Sequence, residues 1–150
     1  MHIEIVESVN DEVVAAFARL MPQLNPSHSP PEQSALEAIV RSEASTLLLA
    51  RNEAGEVVGT LTLVVFRTPA GVHAWIEDVV VDEKERSRGI GEALTRRAIE
   101  LAAGQGAGEV NLTSRPEREA ANRLYRRLGF QLRHTNLYRL SLRQADESAG

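Results

Sequence analysis

Apolar and polar residues alternate through the segment HIEIVE, residues 2 to 7, the period of a strand with one buried face. From Asn10 the period changes: DEVVAAFARLM has helical spacing, with acids in its first turn where the helix dipole favours them. PQLNPSHSPP is a proline-rich loop, and EQSALEAIVRS is a second helix with Pro31 near its start. STLLLARN and VVGTLTLVVF are strands joined through NEAGE, a hairpin turn containing Gly55. After the turn TPAG, VHAWIEDVVVD is a long third strand of that run. IGEALTRRAIELAAGQGAG then places Ile90, Leu94, Ala98 and Leu101 on one helical face and ends in glycines.

EVNLTS is a short buried strand, and PEREAANRLYRRLG is a helix opened by Pro116 and closed by Gly129. FQLRHTNLYRLSL supplies one or two closing strands, and residues 143–150 are a polar, frayed tail. The order β-α-α-β-β-β-α-β-α-β(β) predicts a mainly antiparallel sheet with helices on its faces. Its strand–helix–strand part is a right-handed crossover between parallel strands. No repeat or long linker divides the 150 residues, so a single domain over 1–150 is expected.

Composition narrows the function classes. A net charge of −4 argues against a nucleic-acid partner. With no cysteine, disulfides, thiolate zinc sites and a cysteine nucleophile are excluded, which fits a reducing cytoplasm. No apolar run approaches the roughly 20 residues of a membrane span, and MHIEIVESVN does not read as a signal peptide. A cytoplasmic protein without a membrane partner is therefore expected. Four scattered histidines lack metal-ligand spacing, so no metal is expected.

The glycine pair in ERSRGIGEAL, residues 85 to 94, lies between the long strand and the third helix. A P-loop would need Gly-Lys-Ser/Thr, yet Glu92 and Ala93 follow Gly91. The dinucleotide fingerprint fails at Leu94, where glycine or alanine is required, and no early βαβ unit surrounds it. What remains is Arg-x-x-Gly-x-Gly: Arg86, Gly89 and Gly91. Its glycines let backbone N–H groups converge on an anion at a helix start, with charge from Arg86 and Arg88. The bland alternative is a basic turn with glycines for close packing.

RSRGIGEAL behind WIEDVVVD, with AANRLYRRLGF some thirty residues on, resembles the GCN5-related N-acetyltransferase (GNAT) family over about residues 3 to 140. The resemblance implies an α+β (α/β) GNAT fold: a mixed central sheet of six or seven mainly antiparallel strands flanked by about four helices. It implies acetyl-coenzyme A as cosubstrate, its pyrophosphate cradled by Ser87, Arg88, Gly89, Ile90, Gly91 and Glu92 with Arg86. The strand DVVVD, with Val79, Val80 and Val81, would splay from VNLTS and bond the thioester and pantetheine arm through the N–H groups of Val79 and Val81. Asn122 would bond the pantetheine amides, and Tyr125 would protonate the leaving thiolate. Either is otherwise an ordinary helix residue, Tyr125 in the core and Asn122 in solvent.

Deprotonating an alkylammonium of pKa near 10 calls for a carboxylate, acting directly or through water. Glu77 and Asp78 are adjacent and point to opposite faces unless a bulge intervenes. Glu77 shares Val79's parity and is the first choice; Asp78 is the alternative. Their context, IEDVVV, resembles that of glucosamine-phosphate acetyltransferases, in which acids here meet the amino substrate. His73 and His134 are solvated strand residues or candidate bases. Arg115 and Arg118 meet the coenzyme's 3′-phosphate, an acidic group on the acceptor, or solvent, and lean the acceptor towards an amine bearing phosphate or carboxylate. Asn136 and Tyr138 lie on a strand that often lines the acceptor pocket in this family.

The expected function is acetyl transfer to a small primary amine in a ternary complex. The alternatives are a non-catalytic acetyl-coenzyme A sensor and an acetyltransferase for protein N-termini or lysines. By analogy with the family, a homodimer is possible.

Overall fold

The computed structural model describes residues 1–143. They divide into two compact units, the first Met1–Thr113 and the second from Ser114 on. The expected frayed tail falls outside the described residues from residue 144 onward.

In the first unit β1 (His2–Ile5), α1 (Asp11–Leu24), α2 (Gln33–Arg41), β2 (Ser45–Arg51), β3 (Val57–Thr68), β4 (Gly71–Val81), α3 (Ile90–Gly104) and β5 (Val110–Asn111) follow one another, with one 3-10 turn, Glu83–Glu85, between β4 and α3. The strands form one sheet in the order β1-β2-β3-β4-β5. The first three pairings are antiparallel; β4 and β5 are parallel, as a strand–helix–strand crossover requires. The architecture is a mixed α+β fold, but with five strands among the described residues instead of six or seven.

Helix α1 starts where Asn10 caps it, its side chain accepting from the Val13 N–H at 2.9 Å. It runs past Pro22, which the sequence pattern assigned to the loop. Met21 and Leu24 pack against the core there, so tertiary contact carries the helix through the proline. Val13, Ala16, Phe17 and Leu20 of α1 meet Leu36 of α2 and Leu47, Leu49, Val57 and Val80 of the sheet. Full burial of side chains such as Phe17 or Leu36 contributes about 1.5–3 kcal/mol each.

Alternation turns the neighbouring residues to the opposite face, where α3 lies. A Cβ at Gly59 would stand 3.1 Å from Ile90 and 3.2 Å from Leu94, so the start of α3 sits on β3 where β3 has no side chain. Ile90, Leu94, Thr95, Ala98 and Ala102 form the buried stripe of α3.

The second unit contains α4 (Glu119–Arg127) and the segment that follows it. Gly129, at φ 101°, ends the helix, and its N–H donates to the Arg126 carbonyl at 3.0 Å. The closing strands expected over residues 130–142 do not form: no residue there has a ladder partner among the described residues. Alternation alone does not make a strand without a hydrogen-bonded neighbour.

Candidate active site

The site begins with an irregularity in β4. Thr62 pairs with Glu77 and Thr60 with Val80, so the two residues Asp78 and Val79 oppose Leu61 alone. This is a β-bulge, and Asp78 adopts φ 51°, a left-handed conformation that aspartate tolerates better than most residues. The bulge breaks simple alternation. Leu47 and Leu49 face α1 and α2, and they pair with Thr62 and Thr60, so Glu77 and Val80 share that face. Glu77 therefore shares a face with Val80, and the parity with Val79 expected from the sequence does not hold. Burial, and secondarily the negative charge of Asp78, pushes the Glu77 carboxyl above the usual carboxylate range.

After Trp75, ahead of the bulge, β4 loses its partner on one side. Its parallel pairing with β5 covers only Ala74–Val110 and Trp75–Asn111, and β4 continues to Val81. Asp82 donates its N–H to Val58 of β3 at 2.8 Å. By strand alternation the Val81 N–H points to the other, opened edge. Val80 is buried in the core, so its side chain is a packing residue.

The chain then enters the basic turn. Ser87 has φ 66° and Gly89 φ 78°, two left-handed residues within three positions. Gly89 is the N-cap of α3 and lends no side chain to it; the first intrahelical bond is Ala93 N–H to Gly89 C=O at 3.0 Å. The N–H groups of Gly89, Ile90 and Gly91 thus precede the ladder, at the positive end of the helix dipole. A Cβ built on Gly89 meets nothing within 4 Å, so the space over the turn is open. Free N–H groups at a helix start can hold an anion.

Around it, Arg86 is exposed and bonds the Val81 carbonyl at 3.4 Å, while Arg88 pairs with Glu85 at 3.0 Å. The Ile90 side chain is buried, and Glu92 holds Arg96 at 3.0 Å, so both can serve an anion only through their backbone.

Helix α1 braces this turn, which the sequence did not reveal. Arg19 pairs through Nε with buried Asp82 at 3.4 Å and donates from its other end to the Val57 carbonyl. One turn on, Gln23 accepts from the Glu83 N–H at 2.9 Å. None of these contacts has a local sequence signal, because they join residues about 40 to 60 positions apart.

On the Glu77 face a cavity of about 190 Å³ opens between α1, the loop before α2, α2 and the sheet, with Asp78 among its lining residues. His73 stands elsewhere, near the β3–β4 hairpin: its Nδ1 meets Glu109 at 2.8 Å and its Nε2 meets Thr68 at 2.8 Å. Those bonds make it a clamp between strand ends. Among the described residues no cluster of histidines and acids could hold a metal, and no helix is long and apolar enough to cross a membrane.

The second unit holds Asn122 and Tyr125 on α4. The Tyr125 ring meets Phe130 edge-on at a centroid distance of 5.7 Å, and the Phe130 N–H returns to the Tyr125 carbonyl at 3.0 Å. Burial pushes the Tyr125 phenol above its ordinary pKa, against the opposing charge of Arg118. Asn122 donates from Nδ2 to the Arg115 carbonyl at 2.9 Å, which ties the loop before α4 to the helix and leaves Oδ1 as an acceptor. Arg115, Arg118, His134, Asn136 and Tyr138 are exposed.

Comparison with known proteins places the chain in a family. The sequence profile of the acetyltransferase (GNAT) family matches residues 10–130, across both units. Glucosamine 6-phosphate N-acetyltransferase 1 of Oryza sativa subsp. japonica is 32% identical over 114 residues, 71% of this chain and 69% of that protein. A Trypanosoma brucei acetyltransferase superposes with a TM-score of 0.75 at 25% identity, covering 94% of this chain and 99% of its own. An aminoglycoside acetyltransferase from an uncultured soil metagenomic sample, at 22% identity, shares the fold with a TM-score of 0.81 over 95% and 96% of the two chains.

Proposed function

The chain belongs to the GNAT acetyltransferase family, and from that premise we propose that it transfers the acetyl group of acetyl-coenzyme A to a small primary amine in a ternary complex. One observation carries the reading: β4 leaves β5 after Trp75 and runs, open on that edge, into the left-handed turn at Ser87 and Gly89. A strand edge offering N–H donors that leads straight to a helix-start anion cradle suits an extended ligand ending in a pyrophosphate.

Acetyl-coenzyme A supplies an activated thioester. The backbone of Ser87, Arg88, Gly89, Ile90, Gly91 and Glu92 would hold its pyrophosphate, with charge from Arg86 and Arg88. The N–H groups of Val79 and Val81 would hold the arm and donate to the thioester oxygen as negative charge develops there, an effect worth on the order of 3 kcal/mol per donor. Asn122 would accept from a pantetheine amide through Oδ1.

Glu77 takes the proton of the incoming ammonium, directly or through water, with Asp78 as the alternative base. A raised pKa makes the Glu77 carboxylate a better proton acceptor than an ordinary one. Tyr125 gives a proton to the departing sulfur. Its raised pKa keeps the phenol protonated at neutral pH, so the proton is available, though its transfer to a thiolate is the more uphill for it.

The family match across both units supports a single acetyltransferase domain. Five large apolar side chains between Leu132 and Leu142 are 70–89% exposed, which supports pairing of two copies through this segment. The test is turnover of Tyr125→Phe and Glu77→Gln beside the wild type. Each is expected to lose about 10²-fold or more in kcat. Full turnover in both would remove the acid and base assignments.

A further inference from the structure

We infer that the acceptor is a primary amine carried on a small apolar body, a short alkylamine or arylalkylamine whose ammonium is its only charge. This rests on the acetyl-transfer reading and names the substrate class of that site. Against the Glu77 face of the sheet stands the cavity of about 190 Å³ whose walls are Phe17, Met21, Pro31, Leu36, Ile39 and Leu47. That volume falls below the roughly 300–1,000 Å³ of sites for drug-sized ligands, so the body it takes is small.

The remaining lining is Ser29, Thr60, Thr62 and Asp78. The Thr60 hydroxyl already donates to the Leu48 carbonyl at 2.9 Å, which leaves Ser29 and Thr62 as the hydroxyls of the lining that can donate to a substrate. The one charged residue of the lining is an acid, and Glu77 lies across the strand from Thr62 on the same face. An ammonium at that end finds the Asp78 carboxylate in the lining, with Glu77 next to it in the chain, and the carbon chain behind it finds aromatic and aliphatic walls.

A phosphorylated amino sugar fits the same lining poorly. Its phosphate would enter a space whose lining charge has the same sign, and its polar ring would lie against mainly apolar walls. The lining of this cavity contains no cation to receive a phosphate.

The test compares kcat/KM for 2-phenylethylamine, butylamine, glucosamine 6-phosphate and 2-aminoethylphosphonate, read as thiol release from acetyl-coenzyme A. Binding of each amine to the protein with coenzyme A present is measured in parallel by saturation-transfer NMR. The two apolar amines are expected to exceed the two phosphorus-bearing ones by about tenfold or more. In Met21→Lys, which puts a cation into the wall, the order is expected to narrow or reverse; the wild-type panel decides by itself if that variant does not fold. Higher kcat/KM for either phosphorus-bearing amine would overturn the inference and leave acetyl transfer standing. Binding of the apolar amines without turnover would keep the pocket assignment and overturn acetyl transfer. Neither binding nor turnover of any amine would overturn both.

Discussion

Gln23, in the last turn of α1, accepts a 2.9 Å hydrogen bond from the backbone N–H of Glu83, the first residue of the 3-10 turn that leads into Arg86–Gly91. The helix that walls the acceptor cavity through Phe17 and Met21 also holds the entrance to the anion turn. Gln23→Ala removes that bond while leaving the core face of α1 intact. A neutral hydrogen bond contributes about 0.5–1.5 kcal/mol, so the KM for acetyl-coenzyme A is expected to rise about two- to twelvefold with kcat little changed. Steady-state kinetics with a saturating amine reads the split.

Gly59 sets the seat of α3. A Cβ there would lie 3.1–3.2 Å from Ile90, Leu94 and the Val80 carbonyl, and the backbone carbonyl cannot swing aside as a side-chain end can. Gly59→Val is expected to destabilise the fold by about 1–3 kcal/mol and to weaken acetyl-coenzyme A binding by displacing the start of α3. Chemical denaturation and calorimetric titration measure the two effects.

Gly89 makes a different demand. Its φ is 78° and nothing stands within 4 Å of an added Cβ, so alanine is strained by its backbone and not by crowding. Gly89→Ala is expected to cost about 1–2 kcal/mol of stability and to weaken cosubstrate binding. Thermal unfolding with and without acetyl-coenzyme A separates the two, because ligand stabilisation shrinks only if the cradle is altered.

With Glu77 as the proposed base, which works deprotonated, kcat/KM is expected to rise with pH through its titration. Burial places that midpoint above the ordinary carboxylate range, with Asp78 adding to it. Asp78→Asn removes the smaller of the two causes and is expected to shift the acid limb to lower pH. Glu77→Gln is expected to abolish the limb. A pH profile of each variant with one amine decides the matter, and an unchanged limb in Glu77→Gln would assign the base elsewhere.

Much of this was legible in the chain. β2, β3 and β4 read directly from apolar runs between turn residues, and the Arg86–Gly89–Gly91 pattern located the helix start. The face of Glu77 was not legible: one extra residue in β4 reverses alternation, and the aspartate that takes φ 51° carries no glycine to mark the bulge. Pro22 marked a loop by local preference, but Met21 and Leu24 had core to reach. Residues 130–142 have a strand's composition, and a strand also needs a partner that composition does not supply. The brace from Arg19 and Gln23 to Asp82 and Glu83 exists only in the folded chain.

The most direct measurement of the central claim is thiol release from acetyl-coenzyme A in the presence of a primary amine, with the amine product weighed by mass spectrometry. A protein without cysteine contributes no thiol of its own to that reading. One thiol is expected for each amine that gains an acetyl group, and none without the amine. Acetyl-coenzyme A bound to the protein with no acetylated amine and no thiol above background would contradict that claim.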